Sequence, residues 1–218
     1  MTKYEMVARL EMVLNGNYNT ADVQSVIDAL NEEIRADLNK SASKSQKNLL
    51  KACKNVLKDA EKYGQGRFDG SWIVDGVQYM LDGHRVIINR TPLALKELAP
   101  QLKPFDVKKL LADSEPNFNA QMPLPTLAEL ESEIKRCKAD AKAHGIKKPK
   151  VVYAIKFDGS VHKFNAEYLR DAIMATGADH ADITRNMPHY PAMFRSTDAD
   201  CFLLPINANN DRTGAYLI

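Results

Sequence analysis

The sequence predicts an α+β protein: a helical N-terminal region, then a body of helices and antiparallel sheets. Three observations carry the prediction. Apolar residues recur at helical spacing up to Ala60, Asp-Gly pairs then separate short β-branched stretches, and the second half alternates helix signals with hairpin signals. The chain has 218 residues, 44% hydrophobic and 27% charged. That is a globular composition with room for about one domain, and it excludes collagen and wholesale disorder. No apolar run approaches the roughly 18–20 residues that span a bilayer. The opening MTKYEMVARLEMVLNG carries charge in every turn, unlike a signal peptide. Three scattered Cys (Cys53, Cys137, Cys201) form neither a disulfide framework nor a zinc knuckle, so the expected compartment is cytoplasmic.

Residues 1–66 read as a helical hairpin region. Val7, Leu10 and Leu14 fall at helical spacing until Asn15-Gly16-Asn17 stops them. Thr20 is an N-cap, and Val23, Val26, Ile27, Leu30, Ile34 and Leu38 mark one apolar stripe. After a turn at Ser41–Ser45, a second stripe runs through Leu49, Leu50, Cys53, Val56, Leu57 and Ala60 to Gly64. Such stripes belong to a core or a dimer seam.

Asp-Gly pairs at 69–70, 75–76 and 82–83 then favour the positive φ of tight hairpin turns, so Ser71–Val74, Val77–Leu81 and Arg85–Asn89 form a strand meander. Pro92–Leu98 reads as a short helix, Phe105–Leu111 as another, and Ser114–Pro125 as a linker. Thr126 caps a strong helix with an apolar seam at Leu127, Leu130, Ile134, Cys137, Ala141 and His144. Lys150–Phe157 and Ser160–Phe164 make a hairpin about Asp158-Gly159. Asn165 opens a helix over Ala166–Thr176 that Gly177 stops, and strands follow at 181–185, 192–196 and 201–206. The order of segments suggests a duplicated α+β unit.

The chemistry of catalysis is missing from the pattern. There is no phosphate-cradling glycine loop, no H-E-x-x-H and no G-x-S-x-G. Asp179, His180 and Asp182 sit together at a turn and read as polar turn residues rather than metal ligands, and Cys201 reads as core. No enzyme, metal or cofactor is expected. Net charge is only +2, but Lys135–Lys150 holds seven Lys or Arg against Asp140 alone. That is either a solvated face or a phosphate-binding patch built on Lys135, Arg136, Lys138 and Lys142.

Two stretches resemble a known family. Phe164-Asn165-Ala166-Glu167-Tyr168-Leu169-Arg170-Asp171-Ala172, followed by strands ending in Phe202-Leu203-Leu204-Pro205-Ile206, is similar to the closing lobe of the bacterial DNA polymerase III beta subunit, the sliding clamp. There an F-N-x-x-Y-L-x-D-A helix follows a strand, and the chain ends on an apolar-Pro-apolar strand. Asp82-Gly83-His84-Arg85-Val86 resembles the family's T-D-G-H-R-L strand, with Leu81 in place of Thr. The resemblance spans about residues 67–206 and implies a DNA-clamp-like α+β domain there, between the helical region and a tail at 207–218. The family carries three such domains per chain.

The resemblance implies a non-enzymatic protein of DNA replication that binds duplex DNA without sequence preference, peptides of polymerases or other replication proteins, or both. Gly83, His84, Arg85 and Val86 would face Leu204, Pro205 and Ile206 across an apolar peptide-binding pocket, which Tyr216-Leu217-Ile218 would cover. Lys108, Lys109, Lys163 and Arg170 would join the basic cluster in facing DNA. The implied partners are DNA, a short peptide and further copies of the chain, with no membrane. The rearranged layout suggests phage or prophage origin. The competing expectation is a structural module that oligomerises through its N-terminal helices.

Overall fold

A reciprocal cap opens the first long helix. Ser43 Oγ accepts the Gln46 N–H while Gln46 Oε1 accepts the Ser43 N–H, and α1 runs over Lys44–Tyr63. The computed structural model describes residues 9–13, 16, 21, 23–27, 29–30, 43–63, 68–99, 101–147, 149–206 and the backbone of 216–217. The chain divides into two units, Met1–Lys47 and Asn48–Ile218. In the first, residues 9–13, 21, 23–27 and 29–30 are helical and Val26 is buried. Thr20, Ile34, Leu38, Ser41 and Gly64, named above as caps, stripe or stops, lie outside the described residues. The division falls after Lys47, not at residue 66. From Asn48 onward α1 belongs to the α+β body, because Leu49, Ala52, Cys53 and Val56 are buried in its main core.

The body holds a seven-stranded, wholly antiparallel sheet. Its strands are β1 (Trp72–Val74), β2 (Val77–Leu81), β3 (Arg85–Asn89), β4 (Ala120–Pro123), β7 (His180–Ile183), β8 (Ala192–Arg195) and β9 (Ala199–Leu203), in the order β1-β2-β3-β9-β8-β7-β4. A second sheet is built on the β5–β6 hairpin (Val151–Phe157, Ser160–Asn165), with β10 (Tyr216–Leu217) added parallel to β5. The tail strand thus pairs with the edge of that hairpin opposite the one nearest the 204–206 segment. The other helices are α2 (Val107–Ser114), α3 (Leu127–Ala143) and α4 (Ala166–Thr176). Thr126 and Glu129 form a capping box on α3, Asn165 caps α4, and Gly177 ends α4 in the left-handed region at φ 68°.

Four expectations fail locally. Asp75-Gly76 and Asp158-Gly159 turn hairpins with both residues at positive φ, but Asp69-Gly70 does not. There Ser71 bridges to Glu97, and a Cβ on Gly70 would lie 2.4 Å from the Glu97 carbonyl oxygen. Pro92–Leu98 forms no helix, because its backbone is drawn into that bridge: the Ser71 N–H donates to Lys96 O, and the Leu98 N–H to Ser71 O. The expected linker carries a 3-10 turn (Glu115–Asn117) and β4, whose Met122 is fully buried. His144, placed on the α3 seam, is instead the exposed C-cap.

Strand alternation sends side chains to two covered faces. Met80, Ile87, Phe194, Cys201 and Leu203 meet α1, α3 and α4 in the main core. Tyr79, Leu81, Val86, Ile88, Met193 and Phe202 meet Trp72 and the α2 residues Val107, Leu110 and Leu111 on the other face. The body repeats one order of elements. The sequence α1-β1-β2-β3 repeats as α4-β7-β8-β9, and the central strands Arg85–Asn89 and Ala199–Leu203 are offset by 114 residues (199 minus 85). The two halves meet in the β3–β9 ladder about the Ile87–Cys201 pair, which gives the sheet a pseudo-twofold relation.

Candidate functional site

The two stretches singled out in the sequence lie side by side. Arg85 pairs with Leu203 and Val86 with Phe202, and the Leu204 N–H donates to the His84 carbonyl at 2.9 Å. The chain then reaches the free edge of β6, where the Ile206 N–H donates to the Lys163 carbonyl at 2.7 Å. Gly83 and His84 are exposed, Leu204 is 40% exposed, and Pro205 and Ile206 are half-buried. The result is a short exposed edge, aliphatic on one side and imidazole on the other.

Arg85 and Val86 turn inward and wall nothing. Val86 is buried against Trp72, Tyr79 and Phe202. Arg85 points to the helix face and is 1% exposed, because three carboxylates from three elements surround its guanidinium. Nε donates to Asp82 at 2.8 Å, Nη1 to Asp171 at 2.6 Å and Nη2 to Asp59 at 2.6 Å. Burial alone would depress the Arg85 pKa, but the three carboxylates more than offset it and hold the group charged above its ordinary value. Asp82 also accepts the backbone N–H groups of His84 and Arg85, which shapes the turn. Asp171 also accepts from Asn55 and Arg170. Burial pushes the Asp59 carboxyl up against the pull of Arg85, and Asp82, Asp171 and Glu167 add to that push.

Aromatic layers complete the cluster. The Arg85 guanidinium carbon lies 4.1 Å from the Tyr168 ring centroid, and His84 is stacked on Tyr168 with ring centroids 5.7 Å apart. Burial pushes the Tyr168 hydroxyl up to about 12, helped by Asp82 and Asp59. The Asp and Arg of the D-G-H-R stretch thus interlock with the Tyr and Asp of the Y-L-x-D-A helix. Asp59 and Asn55 were not anticipated. Their signal is weak: two polar residues four apart on α1, beside the buried Ala52, Cys53, Val56 and Ala60.

The cations expected to face DNA do not share one surface. Lys108 and Lys109 sit on α2, which covers the opposite face of the large sheet from α3 and α4. Lys108 pairs with Asp75, Lys138 with Glu167 and Arg136 with Glu133. Arg170 folds over Asp171 instead of facing outward, and Lys163 stands beside Ile206. Lys135, Lys138 and Lys142 remain together, exposed on α3. Lys138 and Lys142, with Ile146, Lys147, Pro149 and Glu167, line an open groove of about 520 Å³. Asp179 and His180 contact each other at 3.0 Å, and Asp182 is held by Arg195. Among the described residues no group of three or more His, Cys, Asp or Glu is arranged to hold a metal ion, and no helix is long and apolar enough to cross a membrane.

No family model matches the chain, and no curated protein matches it. Solved structures do. The Helicobacter pylori beta clamp bound to a DNA ligase peptide aligns at 15% identity and TM-score 0.35, covering 60% of this chain and 40% of the clamp. A putative DNA polymerase III beta subunit from Eubacterium rectale aligns at 14% and 0.37, covering 62% and 42%. The Thermotoga maritima beta subunit aligns at 14% and 0.32, covering 60% and 41%. The chain therefore spans about two fifths of the length of the clamps it matches. It is an α+β protein with antiparallel sheets whose resemblance to beta-subunit sliding clamps is distant and partial.

Proposed function

We propose that this protein is a non-enzymatic, clamp-like scaffold that takes a short peptide of a replication partner along His84, Leu204, Pro205 and Ile206. The observation that supports this most is the meeting of the D-G-H-R turn with the apolar-Pro-apolar segment, which leaves Leu204 40% exposed beside an imidazole. Such an edge suits an extended peptide with aliphatic anchors. The probe is the DNA ligase peptide that the Helicobacter clamp binds, labelled and titrated against the wild type, His84→Ala and Leu204→Ser. Saturable binding that both variants weaken supports the reading. Equal, weak signals in all three remove it.

Duplex DNA is a second ligand under the same reading, favoured by the exposed Lys135, Lys138 and Lys142 on α3. Its affinity should fall steeply between low and physiological salt, and no binding at low salt removes it. Homo-oligomerisation through the N-terminal unit is favoured by Leu10, Met12, Ile27 and Leu30, which are exposed there. Light scattering on the full chain decides it, and a monomer at high concentration excludes it.

A further inference from the structure

Three flat groups lie in contact from the exposed edge inward: the His84 imidazole, the Tyr168 ring with its centroid 5.7 Å away, and the buried Arg85 guanidinium 4.1 Å from the Tyr168 centroid. The guanidinium is anchored in part from α1. Of the carboxylates around Arg85, Asp82 and Asp171 are almost fully buried and each holds further donors. Asp59 differs. Its side chain is 27% exposed, and its described hydrogen bond is the one from Arg85 Nη2 at 2.6 Å. Removing it would leave Nε and Nη1 engaged and Nη2 without its acceptor, so one of the three anchors that fix the guanidinium against the Tyr168 ring is lost.

We infer that Asp59 is a positioning residue for the edge: from α1 it fixes Arg85, Arg85 supports the Tyr168 ring, and that ring sets the orientation of His84. The effect on a peptide rests on the function proposed above. The ring geometry does not, so the two fail separately. α1 thereby acts on an edge that the resemblance assigned only to β3 and the last strand.

The test uses the full chain with labelled histidine. The His84 ring protons in the wild type should carry the ring-current displacement of a stacked tyrosine. In Asp59→Ala they should move toward the values of an exposed histidine, while in Asp59→Asn, which keeps an oxygen acceptor, they should move less. The ligase peptide should bind Asp59→Ala roughly tenfold more weakly, and the loss should vanish in a His84→Ala background. Tyr168→Phe should preserve the coupling and Tyr168→Leu should abolish it. His84 signals unchanged in a folded Asp59→Ala, or an equal affinity loss in the His84→Ala background, overturn the inference. If Asp59→Ala does not fold, Asp59→Asn and Tyr168→Leu are read by the same His84 signals. A wild type that binds no peptide removes the proposed function and leaves the His84 signals to decide the positioning role.

Discussion

Replacing Arg85 with Met keeps much of the side-chain volume and deletes the charge that three acids share. Asp82 and Asp171, with side chains 1% and 3% exposed, would stay in place without their cation. Removing one partner of a buried ion pair costs about 3–5 kcal/mol. The lower half of that range applies, because Asp82 keeps two backbone N–H donors and Asp171 keeps Asn55 and Arg170. Asp59, already partly exposed, can turn to water. The expected loss is about 3 kcal/mol. With a urea m-value of about 2–3 kcal/mol/M, the midpoint should fall by roughly 1–1.5 M at unchanged slope. Urea unfolding followed by both fluorescence and circular dichroism measures it. A loss below about 1 kcal/mol would refute the claim that the guanidinium is the keystone between α1, β3 and α4.

Gly70→Ala should cost on the order of 3 kcal/mol or more, since its Cβ would meet the backbone of Glu97 and Leu98 at φ 149°. Gly76→Ala, at φ 77° in open space, should cost only about 1–2 kcal/mol, and the two thermal shifts compared directly check the difference. Burial holds the His162 imidazole below its ordinary 6.5, so the folded chain keeps it neutral while the unfolded chain takes up a proton. Stability should therefore fall as pH drops below about 6.5, by up to about 1.4 kcal/mol per pH unit, and His162→Phe should flatten that limb of a pH series of denaturation curves. Thr126→Ala removes the acceptor of the α3 capping box and should cost about 1 kcal/mol in the same assay.

What could be read beforehand follows from where the determining forces lie. The helix α4 carries its own cap at Asn165, its own stop at Gly177 and an apolar face at Leu169, Ala172 and Ile173, so its bounds were legible to the residue. The β5–β6 hairpin likewise needs only Asp158-Gly159 and alternation. The strand β4 has no such local signal: it is four residues long, ends in Pro123 on a sheet edge, and exists because β7 supplies its hydrogen bonds from sixty residues away. Arg85 misled for the same reason. An arginine after a turn reads as exposed, and only the folded chain brings Asp59 and Asp171 to it. The dispersal of the lysines over both faces of the sheet was equally hidden, since charge counts carry no information on which face a helix will cover.

The repeat sharpens the case for one end of the sheet. Under the offset of 114 residues, His84 corresponds to Asp198 and Leu204 to Arg90, and the same hydrogen bond occurs at both ends: Leu204 N–H to His84 O at 2.9 Å, Arg90 N–H to Asp198 O at 3.0 Å. The backbone is thus built twice, and the side chains are not. At the Arg90 end the exit residue is a cation tied to Asp200 and to Ser196 O, and beneath it Asn89, Gln78 and Ser71 form a neutral network. At the Leu204 end the exit residues are apolar and untied by side-chain bonds, and the layer beneath holds a guanidinium with three carboxylates. The offset places Ala199 where Arg85 stands, so the sheet closes at the other end without a buried charge, and a costly charge cluster at the Leu204 end is not needed merely to close it. Under the proposed function the asymmetry serves what the Leu204 end presents. Giving this exit the residue of the other end tests this: Leu204→Arg, which keeps the backbone N–H groups of Leu204 and Ile206, should leave the fold intact and abolish peptide binding, whereas retained binding would detach the proposed function from this edge.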